Sequence, residues 1–97
     1  TERKQMKVEN ITSNNGNKIA NQFVITDDNG NQFFQSYNSM IVKKYNSYYL
    51  KPVELDKKYW NYSNTTGKYR NIFLGETIKD TRAKIKSGEY ILTDLNK

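Results

Sequence analysis

The sequence predicts an α+β fold: an antiparallel sheet of four to six strands, opened by an N-terminal β-meander, with one or two C-terminal helices packed on one face. Three observations carry this. Two turn signals, Asn15-Gly16 and Asn29-Gly30, separate alternating segments in the first third. Helix caps and stops cluster after residue 64. A last apolar run, Tyr90-Ile91-Leu92, follows them.

Each Asn-Gly reads as a two-residue type I′ turn, with positive φ at both positions. The register then follows. The first turn pairs Thr12 with Ile19, Val8 with Phe23 and Met6 with Ile25. The second pairs Ile25 with Phe34 and Phe23 with Ser36. One face collects Met6, Val8, Ile19, Phe23, Ile25 and Phe34, and is the expected core. The other carries Lys7, Glu9, Gln22, Gln35 and Tyr37, with Ile11, Val24 and Phe33 as apolar exceptions.

Met40–Lys43 reads as a fourth strand. Tyr48–Lys51 reads as its return across the weaker turn Asn46-Ser47, and Pro52 ends that strand or places it at an edge. Residues 53–64 are expected to be an irregular connection. Thr65 or Thr66 can cap a helix in which Tyr69, Ile72 and Phe73 share a face and Leu74 points elsewhere. Gly75 is its expected stop, and one helix running through Gly75 is the alternative. Thr77–Asp80 resembles a capping box. Ile78 and Ile85 share a face, Asp80 can pair with Lys84, and Ser87-Gly88 closes the helix. Tyr90–Leu95 reads as a last strand that can return to the sheet.

The 97 residues make one domain, 1–97, with a small core. Residues 1–5 are expected to be a flexible lead or an added remnant. There is no Cys, hence no disulfide framework or thiol chemistry. There is no His, which removes the usual general base and the commonest metal ligand. No metal site and no cofactor are expected. No apolar run is long enough to span a bilayer, so a membrane is not an expected partner.

The net charge of +6 points to a negatively charged partner, but 13 Lys and 13 Asn are equally what an AT-rich genome writes. Distribution says more than the total. Between Lys43 and Arg70 lie seven cations, two acids, six tyrosines and the single Trp. Cations interleaved with rings suit single-stranded nucleic acid or a protein interface. A Tyr-rich strand pair with a solvated Lys edge is the plainer reading. The candidate partner- or nucleic-acid-binding residues are Lys43, Lys44, Tyr48, Lys57, Lys58, Trp60 and Tyr62. Trp60 can equally pack the helix onto the sheet.

Ser63, Thr65, Thr66, Lys68 and Arg70 are candidate anion-binding residues, placing hydroxyls and two cations where a helix start presents free N–H groups. Plain capping is the alternative. A phosphate-binding loop is rejected, because Tyr62 and Tyr69 stand where it needs Gly and Ser or Thr. Asp56-Lys57-Lys58 contains the Asp-x-Lys of metal-dependent nucleases, without a convincingly placed second acid. The expectation is a protein that is not an enzyme.

The segments Trp60-x-Tyr62-Ser63-x-Thr65-Thr66-x-Lys68-Tyr69-Arg70-Asn71-x-Phe73-Leu74-Gly75-Glu76 and Lys84–Tyr90, with Leu95-Asn96, resemble a family of small accessory proteins of phages and prophages of low-GC Gram-positive bacteria. Asn29–Asn31 and Ser36–Ser39 extend the likeness over most of residues 6–96. The resemblance implies work in the cytoplasm of a bacterial host, and transfers no activity and no site residue. Three functions follow as expectations. The first is inhibition of a host or anti-phage defence protein, such as a CRISPR effector or restriction enzyme, by protein–protein binding. The second is a basic nucleic-acid-binding module. The third is sequestration of a small anionic nucleotide.

Overall fold

The structure, a computed structural model, describes residues 6–96. The expected lead at residues 1–5 lies outside them. Strands β1 (Lys7–Thr12), β2 (Lys18–Thr26), β3 (Gln32–Ser36), β4 (Ser39–Lys44) and β5 (Val53–Asp56) are followed by helices α1 (Asn64–Leu74) and α2 (Ile78–Ser87) and by β6 (Tyr90–Thr93). The six strands form one sheet in chain order, antiparallel up to β5, with β6 parallel to β5 at the edge. The helical crossover between β5 and β6 makes that parallel pairing possible. The α+β architecture is the predicted one.

The buried face is not the predicted one. Both Asn-Gly signals sit in three-residue loops: Gly16 N–H reaches Ser13 O at 2.9 Å, and Gly30 N–H reaches Asp27 O at 3.1 Å. Only the glycines take positive φ, +82° at each. This is a type I turn followed by a left-handed Gly, not type I′. At β2–β3 the added residue moves the register by one, so Val24, not Ile25, opposes Phe34. A one-residue slip turns a whole strand over. At β1–β2 an irregularity centred on Asn21 (φ 65°) shifts the pairing again and restores the parity, giving Val8 opposite Ile25.

The core therefore gathers the supposed exceptions. Ile11, Phe34, Ile41, Val42, Leu55 and Tyr90 are buried, with Val24 packed against them. Ile41 and Val42 are both buried because the register breaks between Phe34 and Gln35. Met6 and Val8 are instead 62% and 59% exposed. The face left bare by the helices carries one cross-strand row, Val8–Ile25–Phe33–Lys43–Glu54–Ile91.

Two further expectations are overturned. Tyr48–Lys51 is not a strand: Ser47–Tyr49 forms a 3₁₀ turn that Leu50 closes in the left-handed region (φ 52°). The strand returning against β4 is Val53–Asp56, which begins after Pro52, so residues 53–56 are not irregular connection. Pro52 thus precedes a strand instead of ending one.

Helix α1 is capped by Ser63, whose Oγ accepts the Thr66 N–H at 3.1 Å, rather than by Thr65 or Thr66. It docks through Tyr69, Phe73 and Leu74, while Ile72 is exposed, so Leu74 faces the core and Ile72 does not. Phe73 stacks on Phe34 with ring centroids 5.9 Å apart. Gly75 ends α1 in the left-handed conformation, and Thr77 with Asp80 forms the expected capping box. Lys84 pairs with Glu76 at 2.7 Å, not with Asp80.

Candidate functional site

The predicted binding residues divide among three places. Lys43 lies on the bare sheet face, its Nζ 4.4 Å from the Tyr45 ring centroid and 5.4 Å from that of Phe33. Lys51 also approaches this cluster, its Nζ 5.1 Å from the Tyr45 ring centroid. Lys44 is exposed at the end of β4. Tyr48 stands in the 3₁₀ turn at one end of β5. Lys57 and Lys58 are exposed at the other end, separated from it by a four-residue strand of roughly 13 Å.

The 3₁₀ turn forms a protruding apolar knuckle. Tyr48 is 83% exposed and Leu50 90%. Their support is hydrogen-bonded to the β2–β3 loop. Asn46 accepts the Tyr48 N–H at 3.1 Å and donates to Asn29 O at 2.9 Å. Its own N–H reaches the buried Asn31 Oδ1 at 2.9 Å. Asn31 is held by Asp27, whose carboxylate accepts its backbone N–H at 2.9 Å and its side-chain amide at 3.1 Å. Burial works to raise the Asp27 pKa, but these bonds, with that from Asn29 and the charge of Lys43, hold it below the ordinary value. Leu50 and Asn46 carried no functional signal in the sequence, where Leu50 reads as part of the returning strand and Asn46 as part of the turn before it.

Beyond β5 the chain turns around Asp56, which is 1% exposed. Its Oδ2 accepts the N–H groups of Tyr59 at 2.8 Å and Lys58 at 3.1 Å, and Oδ1 accepts that of Leu95 at 2.9 Å. These bonds outweigh burial and lower its pKa. The Asp of Asp-x-Lys is thus a fastener of the fold. Tyr59 meets Tyr62 edge to face at 5.3 Å. Trp60 packs against the core, as the structural alternative had it, and Tyr62 is half-exposed. Among the described residues no group of three or more His, Cys, Asp or Glu is placed to hold a metal ion.

The candidate anion residues part company. Thr66 points into the interior, its hydroxyl 3.0 Å from that of Ser36 across the sheet–helix interface. Thr65 is exposed away from any lining position. Ser63, Lys68 and Arg70 line a cleft of about 510 Å³ between the start of α1 and α2, together with Asn61, Gly67, Asn71, Ile78 and Arg82. The local sequence offered no signal for Arg82, which comes from a different helix.

Arg70 is 1% exposed, and its hydrogen-bond acceptors among the described residues are all neutral. Nη1 donates to Trp60 O at 2.8 Å and to Asn61 Oδ1 at 3.0 Å, and Nη2 donates to Asn71 Oδ1 at 2.9 Å. Its guanidinium lies 5.4 Å from the Trp60 ring centroid. Burial lowers its pKa, Arg82 lowers it further, and Glu76 opposes both. Glu76 itself accepts from Lys84 at 2.7 Å, Thr81 at 2.6 Å and Tyr90 at 2.8 Å.

The chain belongs to a family of unknown function, DUF8033, whose profile matches residues 6–91. No curated protein and no solved structure matches it. None of the helices among the described residues is long and apolar enough to cross a membrane.

Proposed function

We propose that this chain is a non-enzymatic accessory protein of phages and prophages that inhibits a host or anti-phage defence protein by direct contact. The observation that carries the reading is the knuckle. Two large apolar side chains, Tyr48 and Leu50, stand almost fully in solvent on a turn that an Asp27–Asn31–Asn46 network holds in place. Singly exposed apolar residues are common, but two on one hydrogen-bonded turn are what an interface anchor requires. Lys44 and Lys51 flank it and suit a partner with an acidic rim.

The test is a double substitution, Tyr48→Ala with Leu50→Ala. Wild type and variant are produced in a bacterium carrying an active CRISPR effector or restriction enzyme, and phage plaquing is counted. Wild type is expected to restore plaquing. The variant is expected to lose that effect, since removing an anchor of about 2 kcal/mol weakens affinity roughly thirtyfold. Its melting temperature stays unchanged, because both side chains are exposed. Equal protection by the folded variant overturns the reading.

A second reading, a nucleic-acid-binding module, draws on the bare sheet face, where Lys43 lies near Phe33 and Tyr45, and Lys51 near Tyr45. Rings and cations on an uncovered sheet suit stacked bases and phosphates. Fluorescence anisotropy with labelled single-stranded DNA and RNA decides it. Affinity that falls about tenfold or more between roughly 50 and 200 mM salt supports it, and no binding at the lower salt removes it.

A further inference from the structure

We propose that the cleft between α1 and α2 is a binding site for the phosphate group of a small ligand, a nucleotide or other phosphorylated metabolite. Arg70 would lie beneath that phosphate, with Lys68 and Arg82 at the rim. The inference does not rest on the docking surface above.

A buried charge is ordinarily matched by an opposite charge that also fills its hydrogen-bonding groups. Arg70 has no carboxylate within ion-pair distance among the described residues, where the two ion pairs are Lys7–Glu9 and Lys84–Glu76. Its Nε is buried without a partner, and Nη2 has one acceptor for two N–H groups. A guanidinium with unused donors is chemically matched to phosphate oxygens, and Arg70 is among the residues lining the cleft.

Arg82 lines the same cleft from α2, close enough to depress the Arg70 pKa, and Lys68 adds a third cation. The nearby acid, Glu76, is committed to Lys84, Thr81 and Tyr90. Glu76 offsets the cluster only in part, and cations drawn together around a concave surface favour an anion from solution. The helix adds to this. The first turn of α1 carries no acidic residue, whereas that of α2 carries Asp80, so the positive end of α1 is left uncompensated.

The cleft volume of about 510 Å³ falls within the range of small-molecule sites. Asn64 and the side-chain N–H groups of Asn61 and Asn71, whose Oδ1 atoms are taken by Arg70, supply polar contacts for hydroxyl or ring-edge groups, and Ile78 supplies an apolar wall.

The experiment is calorimetric titration and thermal melting of the full chain at low salt, with inorganic phosphate, AMP and adenosine as probes. Saturable binding of phosphate and AMP is expected, each raising the melting temperature, with adenosine inert. AMP binding tenfold or more tighter than phosphate identifies a nucleotide site. Equal affinity identifies a site for phosphate alone. Lys68→Gln with Arg82→Gln is expected to weaken binding about tenfold or more without changing the melting temperature of the free protein, since both side chains are at the surface. Lys57→Gln with Lys58→Gln removes the same charge elsewhere and is expected to leave affinity within about twofold. Failure of phosphate and AMP to bind at about 10 mM, or equal losses in the two double variants, overturns the site.

Discussion

Asp56 and Arg70 are both buried to 1% exposure, and the fold treats them in opposite ways. Asp56 receives three backbone N–H groups, from Lys58, Tyr59 and Leu95, and these tie the end of β5 to the chain leaving β6. Its pKa is lowered despite burial, so the folded protein favours the charge. Arg70 is held by neutral oxygens, keeps an unpaired Nε, and has a second arginine nearby. Its pKa is also lowered, which for a cation means that the folded protein disfavours the charge. A buried charge with its valence filled fastens a fold. One with valence left over is what the proposed phosphate site requires.

The sharpest way to break this contrast is to remove each charge in turn. Asp56→Asn keeps the shape but loses an acceptor serving backbone groups that have no other, and is expected to cost about 3 kcal/mol. Arg70→Met keeps the stem, removes a desolvated charge and strands three neutral acceptors, and is expected to cost only about 1 kcal/mol. Urea unfolding with matched slopes reads both values. If Arg70→Met costs as much as Asp56→Asn, Arg70 is a fastener too and the distinction fails.

The acid limb of stability sharpens the same point. Asp56, Glu76 and Asp27 all have lowered pKa values, opposed by burial and carried by hydrogen bonds. The folded state therefore binds these protons more weakly than the unfolded chain. Their contribution is complete above about pH 5 and drains away as pH falls below about 4 toward the lowered values. Tyr90 acts in the opposite direction: burial and then Glu76 push its pKa up to about 12, so its contribution is complete below about pH 10 and is lost as pH rises through 12. Urea midpoints across pH are expected to show a plateau between these limits. Asp56→Asn is expected to flatten the acid limb, and an unchanged limb in that variant shows that its carboxylate is not the group lost.

The fold was legible where signals were local. Gly75, the Thr77–Asp80 box and Gly88 mark helix ends through their own chemistry, and the structure keeps all three. The sheet faces were not legible, because parity depends on counting residues through a turn. Asn-Gly permits a two-residue and a three-residue loop alike, and a second shift hides at Asn21, whose left-handed φ no neighbour announces. The two-residue hairpin that does occur closes β3 on β4 through Tyr37-Asn38, with Tyr37 at φ 55° and no glycine to flag it. The cleft was half legible. Ser63, Lys68 and Arg70 sit in one helical start, but Arg82 arrives through tertiary packing alone. Thr66 looks the same in sequence and turns inward to Ser36.

Gly67 gives the smallest expected effect and the finest test of the two buried charges. It lies inside α1, where glycine is about 0.5–1 kcal/mol worse than alanine. Its conformation does not require glycine, and a Cβ there would lie 3.6 Å from both Nη atoms of Arg70 and 3.7 Å from Asn61 Oδ1, which is ordinary contact. Gly67→Ala is therefore expected to stabilise the chain by about 0.5–1 kcal/mol in urea unfolding. The added methyl also occupies the wall of the cleft beside the guanidinium. Titration of the same variant is then expected to show weaker binding of phosphate and AMP, by about threefold to tenfold. A residue retained for packing alone would move only the first number. Stability rising while phosphate affinity stays fixed would mean that the ligand does not approach Arg70.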